Sequence, residues 1–106
     1  MRNVIVSLAV IITLSAYAFA RQSDTFTVYG AGTGSCGVWT QHLADKSLHS
    51  LDVQWVFGFL TAAGVFAGVH LKVDPDGIEP LMTKYCQEHP AETITTATAN
   101  LVGNSR

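Results

Sequence analysis

The stretch LDVQWVFGFLTAAGVFAGVHLKV, Leu51 to Val73, decides the fold. It holds Trp55, Phe57, Phe59 and Phe66 beside Gly58, Gly64 and Gly68. Apolar residues fall on every side of a helical wheel, the pattern of a helix buried all round. A membrane span is the rival reading, and a pair of strands is another. A span takes roughly 20 apolar residues. The uncharged core from Trp55 to Val69 has 15, flanked by Asp52, Gln54, His70 and Lys72. Gly64-x-x-x-Gly68 is a dimer pattern in membranes, and in water it equally lets a neighbouring helix come close. The expectation is a buried central helix that the rest of the chain covers.

Working back to the start, Met1-Arg2-Asn3 precedes an apolar run from Val4 to Leu14, and Ala18-Phe19-Ala20 follows. A basic start, a short apolar region and an A-x-A site together read as a secretory signal peptide over residues 1–20, cleaved near Ala20. The expected address is periplasmic or secreted. The mature chain, Arg21 to Arg106, would hold 86 residues and form one small domain. A core of that size is marginal and often needs a covalent staple. The two cysteines, Cys36 and Cys86, supply one if they pair in an oxidising compartment. Closing a loop of about 50 residues stabilises by about 4 kcal/mol in the chain-entropy model. A reactive thiol pair would want the C-x-x-C spacing, which is missing.

Five basic residues (Arg21, Lys46, Lys72, Lys84, Arg106) face eight acids in the mature chain, a net charge near −3 with no basic cluster. That composition argues against nucleic-acid binding and against adhesion to anionic lipid. Low charge with a high apolar fraction favours a packed domain over disorder.

Residues 21–34 read as an extended lead-in arm, in which Thr25 to Tyr29 alternates weakly and Gly30, Gly32 and Gly34 end the run. Ser35 can cap a first helix carrying Cys36, Trp39 and Leu43 on one face. Ser50 can cap the central helix. Asp74-Pro75-Asp76-Gly77 is a turn by composition. Asp76 with Glu79 resembles a capping box, and Pro80 is tolerated within the first turn. Ile78, Leu81, Met82, Tyr85 and Cys86 then follow a helical i, i+3, i+4, i+7, i+8 pattern that puts Cys86 on the buried face. His89-Pro90 ends that helix. Pro90 can open a last helix with Ile94, Ala97, Leu101 and Val102 on one face, and Gly103 is its natural stop. The expected fold is all-α: a small orthogonal four-helix domain over residues 35–103, with helices near 35–46, 50–70, 76–89 and 90–102. One disulfide would pin the first helix to the third. The expected core is Trp39, Trp55, Phe59, Phe66, Leu81, Tyr85 and Leu101.

Motifs for chemistry are weak. Gly32-Thr33-Gly34-Ser35-Cys36-Gly37 fits G-x-G-x-x-G, yet a dinucleotide fold needs several βαβ units. His42, His49, His70 and His89 form no H-x-x-x-H or H-E-x-x-H pattern, and no G-x-S-x-G elbow is present. The expectation is a non-enzyme without cofactor or metal. The histidines remain open as surface residues or as pH sensors.

The placement of Cys36, the apolar run Trp55 to Phe59, the turn Asp74-Pro75-Asp76-Gly77-Ile78 and Cys86 resembles the HdeA/HdeB periplasmic acid-stress chaperones. The second half also resembles the Rap/Tai-type periplasmic immunity proteins of type VI secretion. There Tyr85-Cys86-Gln87-Glu88-His89-Pro90 and the segment Ala97 to Val102 look like their helix, His-Pro junction and closing helix, and Gly58-Phe59-Leu60 looks like their Gly-Tyr-Leu segment. The first resemblance implies a spring that offers apolar surface to unfolding clients in acid. The second implies a plug for an effector's active site. The chain has fewer Lys–acid pairs than the acid chaperones and no transferable effector-contacting motif. Both resemblances imply a small, helical, disulfide-tied, non-enzymatic protein whose partner is another protein, either a client or an effector. A homodimer is a further expectation, because the central helix is more apolar than three short helices can easily cover.

Overall fold

A computed structural model describes residues 26–106. The signal peptide expected over 1–20 and the beginning of the arm lie outside the described residues. A 3-10 turn, Gly30–Thr33, leads into four α-helices: α1 (Cys36–His42), α2 (Lys46–Ala67), α3 (Pro75–Glu88) and α4 (Ile94–Ser105). The all-α class, the four helices and the disulfide between Cys36 and Cys86 are as expected.

Each helix start has a local cause. Ser35 caps α1 by accepting from the Val38 N–H at 3.2 Å. The cap of α2 is Asp45 and not Ser50, and the helix begins a turn earlier for it. The Asp45 carboxylate accepts from both Ser47 and Leu48, two of the orphan donors that a single hydroxyl would meet less well. At α3 the cap is Asp74, without a side-chain bond, and Pro75 takes the first helical position. The capping box drawn from Asp76 and Glu79 does not form, because Glu79 reaches across to His49 instead. Thr93, not Pro90, starts α4 by accepting from the Thr96 N–H. Pro90 to Glu92 are spent on pairing with the first helix: Gly37 N–H donates to Pro90 O, Cys36 N–H to Glu92 O and Ile94 N–H to Gly34 O. Gly103 does not stop α4, which runs on to Ser105.

These bonds bring the start of α4 beside the start of α1, and the disulfide ties α1 to α3 with 4.6 Å between the two Cα atoms. The result is a compact knot of α1, α3 and α4. At its centre lie Cys36, Trp39, Met82, Cys86, Ile94 and Thr98, all fully buried. The Trp39 indole donates to Thr83 Oγ1 at 3.0 Å, and the Thr98 hydroxyl donates back to Ile94 O, so neither polar atom is left unpaired. Leu101 closes the far end.

The helix α2 lies across this knot without being enclosed by it. It is about 33 Å long, and its fully buried contribution is Asp52 and Val56. Val53, Phe57 and Leu60 pack half-buried against the core. The expectation of a helix buried all round is therefore corrected: three shorter partners cover one side of it. Phe66, expected in the core, is 88% exposed, because the last turns of α2 outrun the helices beneath. Trp55 and Phe59 are half-buried. On α3, Ile78, Met82 and Cys86 turn inward at i, i+4 and i+8, whereas Leu81 is exposed and Tyr85 half-buried. The buried strip of α3 is narrow, and Leu81 stands about 100° round the helix from Met82. Gly68, in the left-handed region at φ 66°, ends α2.

The arm, too, differs from the expectation. Residues Gly30–Thr33 coil into the 3-10 turn and dock on α2. Gly32 is buried against the Trp55 ring so closely that a Cβ there would fall 2.0 Å from Cζ2. The Trp55 indole N–H donates to Tyr29 O, and Thr95 Oγ1 donates to Gly32 O at 2.8 Å. The turn is thus held from both α2 and α4.

Candidate functional site

The apolar residues of α2 divide into two faces. One, centred on Val56 and Leu60, meets the core. On the other, Leu48, Leu51, Trp55, Gly58, Ala62 and Val65 follow a 3-4-3-4-3 spacing, with Phe59 and Phe66 beside them. At 3.6 residues per turn all eight fall within an arc of about 120°. This is the spacing of a helix–helix seam, and here it faces away from the core. Leu51 is 64% exposed and Val65 70% exposed. Contiguous apolar surface of this kind marks an interaction site more often than chance.

The middle of that face is concave. Trp55, Gly58 and Phe59 form the floor of a groove of about 650 Å3, the segment Phe26 to Tyr29 one wall, and Thr95 with Ala99 the other. No charged residue lines it. Gly58 is its lowest point, and a Cβ built there would meet nothing within 4 Å. The groove follows from sequence through Gly32: lacking a side chain, it lets the turn lie flat on Trp55, and this brings Phe26 to Tyr29 alongside α2.

Two imidazole–carboxylate pairs grip the N-terminal half of α2. His42 Nδ1–H donates to Asp52 Oδ2 at 2.6 Å, joining α1 to α2. Asp52 is 3% exposed, so this pair is what keeps its carboxylate satisfied. His49 Nε2–H donates to Glu79, joining α2 to α3. The His49 ring also meets the Trp39 ring edge-on, with centroids 5.1 Å apart. Its Nδ1 is buried with no hydrogen-bond partner among the described residues. Neither pair was legible from the spacing of the histidines.

A third cluster sits at the α3–α4 junction. Tyr85 donates to the Glu92 carboxylate, and its ring stacks on His89 with centroids 4.2 Å apart. The bond to Glu92 raises the Tyr85 phenol above its ordinary value, with burial and the nearby negative charge adding to it. Among the described residues no three of His, Cys, Asp and Glu gather as metal ligands. The expected site residues thus separate. Cys36, Cys86, Trp39 and Leu101 belong to the core, Trp55 and Phe59 to the groove, Phe66 to its outer end, and Leu81 to the exposed side of α3.

By length and composition alone α2 is also a candidate membrane span, with mean hydropathy 1.3 over its best window. No family model, curated protein or solved structure matches the chain.

Proposed function

We propose that this is a small exported, non-enzymatic protein that works by binding other proteins through the outward face of α2, in the manner of a periplasmic chaperone or stress protein of the HdeA kind. The observation that carries the reading is the uncovered apolar seam from Leu51 to Phe66 on a domain whose interior is otherwise closed and cross-linked. A disulfide that holds the core allows the outer face to engage clients without unfolding the scaffold. The two His–carboxylate pairs support an acid-sensitive role: protonating Asp52 and Glu79 removes the negative partner of both, and both hold α2 to its neighbours. The signal-like first 20 residues and the single disulfide agree with an oxidising compartment outside the cytoplasm.

A second reading, a Rap/Tai-like immunity protein that binds and inhibits a type VI secretion effector, draws support from the groove beside Trp55. A formed concavity suits one shaped partner better than many unfolding clients.

The test is capture by the tagged mature protein from periplasmic extract at neutral pH and between about pH 2 and 4, where carboxylates take up protons. Apolar dye binding is measured alongside. Many partners and a rise in dye binding only in acid are expected of the chaperone. One stoichiometric partner at neutral pH selects the inhibitor, and no partner at either pH overturns the protein-binding reading.

A further inference from the structure

The groove on α2 also specifies the shape of what enters it. We propose that it receives a single amphipathic α-helix of a partner protein, seated by an uncharged apolar face. The inference rests on the protein-binding reading above and goes further by fixing the partner's secondary structure and the polarity of its contact face.

The backbone decides between helix and extended chain. An extended segment brings one N–H and one C=O per residue, and each must find a partner when buried. The groove offers almost none. Its lining is apolar apart from Thr27 and Thr95, and the Thr95 hydroxyl is already committed to Gly32 O. Among the described residues there is no strand whose edge could accept an added one. A helix satisfies its own backbone and asks nothing of the walls.

Length and shape agree with a rod. From Leu51 to Phe66 the seam runs about 22 Å, or four turns of helix. Its spacing is the one that accepts the side chains of a second helix. Gly58 at the floor and the exposed Ala62 one turn on let a helix axis approach closely, and nothing in the protein's own fold fills the space above Gly58. The concavity between Phe26–Tyr29 and Thr95 disfavours a flat bilayer, which would touch the rims and leave the floor empty. With no charge on the lining, the entering face must be uncharged as well, since a buried lone charge would be unpaired.

The probe is a set of labelled, hydrocarbon-stapled helices of about four turns, each with leucine or alanine along one face and glutamine, serine and lysine on the other. Each is read by fluorescence anisotropy against the mature protein. A control peptide has the same composition with the apolar face scrambled. Two variants test the site: Gly58→Glu, which places a charge on the floor, and Ala62→Glu. The expected result is saturable binding of at least one patterned helix with a Kd below about 100 μM, no such binding of the scrambled control, and at least tenfold weaker binding to Gly58→Glu. Because glutamate is a better helix former than glycine, the Tm of Gly58→Glu should not fall, so lost binding cannot be ascribed to unfolding.

Equal binding of the scrambled peptide, or unchanged binding to Gly58→Glu, overturns the proposal. So does failure of every patterned helix to bind. Phosphatidylcholine vesicles that bind the protein when no helix does would assign the face to lipid. Sedimentation showing a dimer that Gly58→Glu abolishes would assign it to a second copy. If partner capture from extract is unaffected by Gly58→Glu, the protein-binding reading stands and the groove falls. If patterned helices bind but extract yields no partner at any pH, the groove stands and the chaperone reading falls.

Discussion

The two faces of α2 are made of the same kinds of residue and have opposite fates. Val56, fully buried, helps close the core, while Phe66, ten residues along the same helix, is 88% exposed. A helix that is apolar all round normally signals complete burial. Here the covering helices are too few and too short, so a second apolar face remains after the core is complete. The inner face answers to folding and the outer face is free to answer to something else. Substitutions on the two faces should therefore move different measurements.

Changes to the inner side and the core behind it carry the largest expected effects on stability. Replacing Cys36 and Cys86 together with serine should cost about 4 kcal/mol, the loop-closure value for this separation, read by chemical denaturation with and without reductant. Trp39→Ala should cost about 3–5 kcal/mol through the cavity it leaves. His42→Ala should cost about 1–3 kcal/mol, because it strands the buried Asp52 carboxylate; an equal loss from Asp52→Asn in the His42→Ala background would contradict the pairing. Gly32→Ala should cost about 1–3 kcal/mol by overpacking against Trp55, with a change in indole fluorescence as the ring is displaced.

On the outer face the sign changes. Gly58→Ala should stabilise by up to about 1 kcal/mol, the helix-propensity difference, since the new methyl meets nothing. Phe66→Ser should stay within about 0.5 kcal/mol of the native protein while weakening capture of partners. The smallest effect is on pH dependence. The Tyr85 phenol is raised by its bond to Glu92, so the bond contributes fully below about pH 10, the ordinary tyrosine value. Its contribution is lost as pH rises through the raised folded value. Tyr85→Phe should flatten that alkaline part of the stability curve and leave the neutral part parallel.

Much of the inner architecture was legible because it follows local rules. Ser35 caps its helix, Ile78, Met82 and Cys86 recur at helical spacing on one face, and two cysteines in an export-marked chain imply one bridge. The outer architecture was not legible, for physical reasons. A helical wheel tells which side a residue faces, but it cannot tell how far the neighbouring helices extend, and so Phe66 was assigned to the core. Leu81 fits the same periodicity as Met82 and differs only in how wide a strip the neighbours cover. The pairs His42–Asp52 and His49–Glu79 join different helices, and no spacing rule links residues 10 and 30 apart. The groove depends on an absent side chain at Gly32, whose effect becomes visible only once Trp55 is placed above it. Asp45 and Ser50 were both able to cap the central helix, and the carboxylate that accepts two N–H groups prevailed.

The most direct test of the division between the faces is one double variant, Leu51→Ser with Phe66→Ser, assayed for thermal stability and for partner capture from extract on the same preparation. The account predicts a free energy of unfolding within about 1 kcal/mol of the native protein, two surface substitutions' worth, together with loss of capture. A stability loss of the size expected for Trp39→Ala would show that the outer face is structural after all. Unchanged capture would show that partners bind elsewhere. Either result would contradict the assignment of α2 to two separate tasks.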